Sequence, residues 1–122
     1  MDEQLKERIE MLTTCGFVED SGRNDLYKIA DILENKYQIP VDDDTAGVLI
    51  THIAAALKRA REGEKVEPLE ADILAQVSEI QEYETALSIR KTILEEMANE
   101  LSPDEQDFLL VHIGTILQST EG

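Results

Sequence analysis

The chain has 122 residues, enough for one domain with a single core. Hydrophobic residues make up 42% of it, too many for a disordered chain, yet no apolar run nears the ~20 residues of a membrane-crossing helix. Its 27 acidic residues against 11 basic ones give a net charge of −16, which repels phosphate backbones and argues against direct nucleic-acid binding.

Taken in chain order, the pattern is helical throughout. Leu5, Ile9 and Leu12 recur at steps of four and three, predicting a first helix over about 2–15 with Gly16 as its stop. Cys15 lacks a second cysteine and has no zinc-finger spacing, so it reads as a small core hydrophobe. The opening residues are charged and carry no apolar signal segment, which points to the cytoplasm. After the polar stretch 19–24, Leu26, Ile29, Leu33 and Tyr37 share a stripe, predicting a helix over about 24–38 that Pro40 ends.

Asp42, Asp43 and Asp44 suit a helix N-terminus, and Leu49, Ile53, Ala56, Leu57 and Ala60 point inward along a third helix up to Gly63. Beyond Pro68, Leu69, Ile73, Val77 and Ile80 form one stripe, and Leu87, Arg90, Leu94, Met97 and Leu101 another, with a break near Gln81. The last helix opens on Ser102-Pro103-Asp104-Glu105, a capping box with proline in the first helical position. The expected fold is all-α: one domain over 1–122, a bundle of about five helices.

Sliding the chain against itself by 60 residues aligns Ile29 with Ile89, Asp44 with Asp104, Leu49 with Leu109, His52 with His112, Ile53 with Ile113 and Leu57 with Leu117. Apolar matches arise whenever two amphipathic helices are phased together; a histidine match does not. The offset predicts two similar helical hairpins related by an approximate twofold, with both histidines on the shoulder of an apolar stripe. There each imidazole keeps one edge against the core and the other accessible. Glu105, two turns before His112, is placed to orient its ring through a hydrogen bond, with Thr45 the equivalent beside His52. Arg59 lies two turns after His52, where it is available to a negative group on that ring and also complements the helix C-terminus.

No Gly-rich phosphate loop, nucleophile motif or paired-carboxylate signature marks an enzyme, so no catalytic residue is assigned. The two histidines and a carboxylate match no recognised metal-ligand spacing, and neither a metal nor a cofactor is expected.

The segment Thr51-His-Ile-Ala-Ala-Ala-Leu-Lys-Arg-Ala-Arg-Glu-Gly63, with Glu67-Pro-Leu69, Gln81-Glu-Tyr83 and the stretch from Glu105 to His112-Ile113, resembles the phosphotransferase-system regulation domain. That family supplies the regulatory modules of bacterial antiterminators and sugar-operon activators. The resemblance implies a five-helix bundle, usually dimeric, that accepts phosphoryl groups on His52 and His112 from the histidine-containing phosphocarrier protein or an enzyme II B component. Glu105 and Arg59 become supporting residues. Gly114 and Thr115 depart from the antiterminator pattern around His112. These 122 residues show no RNA-binding segment, helix-turn-helix or second copy of the domain, so the output module is expected on another chain. A partner-binding module that dimerises with full-length regulators, without phosphorylation of its own, is the alternative.

Overall fold

In the computed structural model, which describes residues 2–39, 41–44 and 46–120, six α-helices and no strand are found among the described residues. They are α1 (Glu3–Thr14), α2 (Asp20–Asp31), α3 (Gly47–Glu62), α4 (Ala71–Ser78), α5 (Tyr83–Glu96) and α6 (Pro103–Thr120). One π-helical turn, Ile32–Lys36, prolongs α2. The first three helices pack on one another; α3 and α5 pack against α6, α2 packs against α5, and α4 touches α6.

Each helix forms where its apolar spacing turns one face inward. Leu5 and Ile9 of α1, Leu26, Ile29 and Ala30 of α2, Leu49, Ile50, Ile53 and Ala54 of α3, and Leu109 and Ile113 of α6 are almost wholly buried. Each buried Leu or Ile contributes about 1.5–3 kcal/mol of hydrophobic free energy. The apolar positions matched by the 60-residue offset are core positions in both halves: Ile29 and Ile89, Leu49 and Leu109, Ile53 and Ile113, Leu57 and Leu117. Asp2 caps α1 by accepting from Leu5 N–H at 2.8 Å. Gly16 (φ 84°) and Gly63 (φ 73°) follow α1 and α3 in the left-handed region that favours glycine, and Glu64 N–H returns to the Arg59 carbonyl at 2.8 Å.

Several expectations need correction. The second helix starts at Asp20, inside the stretch expected to be a loop, because Gly22 lets it approach Val18 and Leu57: a Cβ there would lie 3.1 Å and 3.3 Å from their side chains. Pro40 lies outside the described residues. The region after Pro68 divides into two helices at the expected break, but α5 buries Ala86, Ile89 and Ile93 and leaves Leu87 and Leu94 only partly covered. It also stops at Glu96, before Met97 and Leu101.

The reason for that stop is Asp25, a fully buried acid of α2. It accepts hydrogen bonds from Ala98 N–H (2.8 Å), Asn99 N–H (3.1 Å) and Asn99 Nδ2 (2.8 Å). Amides that would extend α5 are thereby turned toward a neighbouring helix. Ala60 and Cys15 are exposed, so neither is the core residue expected; Cys15 falls just past the last turn of α1, off its buried Leu5–Ile9 face.

Candidate functional site

The two histidines belong to α3 and α6, and the packing of those helices brings their side chains together. The ring centroids of His52 and His112 lie 4.4 Å apart with the planes tilted by 42°. Both are half-buried, as the shoulder position predicts. Phe108, one helical turn before His112, packs against the His52 ring with centroids 5.8 Å apart. Its counterpart under the 60-residue offset is Val48, one turn before His52, which is 61% exposed.

The pair lies in a shallow groove of about 350 Å³ lined by Arg8, Val48, Thr51, His52, Ala55 and His112. Arg8 comes from α1 and was not foreseen as part of the site, since its link to α3 is visible only once the helices pack. Its guanidinium donates twice to Asp43, from Nε to Oδ1 at 2.6 Å and from Nη2 to Oδ2 at 2.9 Å, and once to Thr51 Oγ1 at 3.0 Å. Gly47 admits this pair across the start of α3, where a Cβ would meet Arg8 Nε and Asp43 Oδ1 at 3.0 Å.

Glu105 does not orient the His112 ring as expected. Both of its oxygens accept from Arg59 Nη2 at 3.0 Å, joining α6 to α3 by an ion pair whose side chains are 8% and 26% exposed. The capping box is accordingly half formed: Ser102 Oγ accepts from Glu105 N–H at 3.3 Å, while the Glu105 carboxylate is engaged elsewhere. Arg59 Nε is buried without a hydrogen-bond partner, and so is His52 Nε2. Thr45 lies outside the described residues.

Both imidazoles are held below the ordinary histidine value. For His52 the cause is burial, reinforced by the positive charge of Arg59; for His112 it is burial, reinforced by His52. Two imidazoles biased toward the neutral form thus line one opening to solvent, with Nε2 of His52 buried, beside two arginines that are each paired with a carboxylate.

The model of the PRD domain family matches residues 27–116, a span that includes both histidines, Arg59 and Glu105. The chain belongs to the PRD family. Members of this family are regulatory domains of the phosphotransferase-system type. The chain is also 27% identical over 109 residues to the uncharacterized protein YhfY of Escherichia coli (strain K12), the match covering 89% of this chain and 91% of the relative. No solved structure matches it at a significant level. No helix of this PRD domain among the described residues is long and apolar enough to cross a membrane.

Proposed function

We propose that this chain is a phosphorylation-responsive regulator of the sugar phosphotransferase system, governing transcription or antitermination of carbohydrate-use genes through phosphoryl groups on His52 and His112. The observation that carries this reading is the contact between its two histidines, 4.4 Å apart by ring centroid in a groove open to solvent, within a PRD domain.

The chemistry asks little of the acceptor. A lone pair on a neutral ring nitrogen attacks the phosphorus of a donor phosphohistidine; the new N–P bond forms as the donor's N–P bond breaks. The acceptor loses its ring proton and the donor imidazole takes one up. Burial biases both rings further toward the neutral, nucleophilic form. The donor is the histidine-containing phosphocarrier protein or an enzyme II B component, which places the domain in the cytoplasm. Nucleic-acid binding falls to a partner such as another PRD regulator that pairs with this chain or its homodimer, because a surface at −16 does not attract phosphate backbones.

Exposed Val48 and Met11, 61% and 62% accessible, favour a second reading in which this face binds a partner without phosphorylation. Labelling from phosphoenolpyruvate through enzyme I and the phosphocarrier separates the two. Acid-labile phosphoryl uptake supports the first; a folded protein that takes up none from the phosphocarrier or from a panel of enzyme II B components leaves the second.

A further inference from the structure

We infer that His52 and His112 act as one acceptor that holds a single phosphoryl group at a time, so that the charge placed on either histidine excludes the other. This rests on the phosphoacceptor reading above. The two rings touch, with centroids 4.4 Å apart, and open into the same groove of about 350 Å³. A phosphoryl group brings three oxygens and roughly two negative charges to whichever ring receives it.

The nearby cations are already engaged. Arg8 is held by Asp43 at 2.6 and 2.9 Å, and Arg59 by Glu105 at 3.0 Å, so these four side chains together contribute no net charge. A first phosphoryl group can draw Arg59 away from Glu105. A second would be borne by a ring whose centroid lies 4.4 Å from that of the first, in a half-buried place where solvent screens less than in bulk water.

Transfer to the second ring would form its N–P bond, break that of the donor and exchange the ring protons as in the first step. Like-charge repulsion is expected to slow it by at least on the order of 100-fold.

The test is intact-mass analysis at alkaline pH of the full chain, driven to saturation by phosphoenolpyruvate, enzyme I and the phosphocarrier. The parent is expected to carry one phosphoryl group, mapped by peptide fragmentation to His52 in some molecules and to His112 in others. His52→Ala and His112→Ala are each expected to accept one. If an alanine variant proves unfolded by circular dichroism, the asparagine variant takes its place, and the parent's stoichiometry is read regardless. Two phosphoryl groups on the parent overturn the inference. So does label confined to one histidine in every molecule, with no uptake by the variant lacking it, since nothing is then excluded. No label on the parent or either variant removes the phosphoacceptor reading and this inference with it.

Discussion

The rings of His52 and His112, sixty residues apart in the chain, lie with their centroids 4.4 Å apart, and each is held below the ordinary histidine value of 6.5. In the unfolded chain both take up protons near that value, whereas in the folded chain each resists protonation until lower pH. The unfolded state therefore binds more protons within that window. Stability conferred by the neutral pair is fully present above the unfolded value and is lost as pH falls from there through the depressed folded values. The urea midpoint of the parent is expected to drop between about pH 7 and about pH 5 more steeply than that of a His52→Gln, His112→Gln double variant. Parallel pH profiles would show that the pair does not couple to folding.

Arg59 and Glu105 form the ion pair that crosses from α3 to α6. Arg59→Ala leaves the largely buried Glu105 carboxylate unpaired, and the expected loss is about 2–3 kcal/mol in chemical denaturation, reduced from a fully buried pair because Arg59 is partly exposed. An Arg59→Met, Glu105→Leu variant should regain most of that loss. Removing the arginine also takes a positive charge from beside His52, so its titration, followed by proton NMR, should move up toward the ordinary value. An unmoved His52 would show that Arg59 exerts no field at the ring.

Asp25 gathers the turn after α5. Asp25→Ala strips the acceptor from Ala98 N–H, Asn99 N–H and Asn99 Nδ2, at an expected cost of about 2–3 kcal/mol. Asp25→Asn, which keeps one acceptor oxygen, should fall between parent and alanine. Hydrogen exchange provides the local readout: the amides of 98 and 99 should lose protection in the alanine variant before the core does.

Exposed Val48 lines the histidine groove, and exposed Met11 lines the adjoining hollow that shares Arg8 and Thr51 with it. If this face pairs two copies, sedimentation at tens of micromolar should give a dimer, with at least about 1,200 Å² buried in total. Val48→Glu should shift it to monomer without loss of helicity. A parent that sediments as a monomer contradicts dimerisation through this face.

What the sequence made legible follows from periodicity. Leu5, Ile9, Leu26, Ile29, Leu49 and Ile53 each announce a buried face by spacing alone, and Gly16 and Gly63 announce the ends of α1 and α3. The histidines emerged from a register of sixty residues. Partners brought together by packing did not emerge, because spacing within one helix says nothing about the next. Arg8 reads as one more charge on α1 until Asp43 and Thr51 meet it, and Asp25 as a solvated acid until Ala98 and Asn99 turn toward it. Glu105 was legible as a cap and misread as a partner of His112, since the strength of the Arg59 pairing depends on a helix 46 residues earlier. In α5, Leu87 and Leu94 compete with Ile89 and Ile93 for the same core, and the mixed spacing left the phase open to the wrong choice.

Phosphoryl transfer to the histidines is the most direct measurement. Supplied with phosphoenolpyruvate, enzyme I and the phosphocarrier protein, the folded domain is expected to gain an acid-labile phosphoryl group. His52→Ala and His112→Ala should each keep label on the remaining histidine and the double variant should take up none, while far-UV circular dichroism stays at the parent's helicity because half-buried shoulder positions tolerate truncation better than core ones. A folded parent that takes up no label from the phosphocarrier or from any enzyme II B component contradicts the assignment of His52 and His112 as phosphoacceptors.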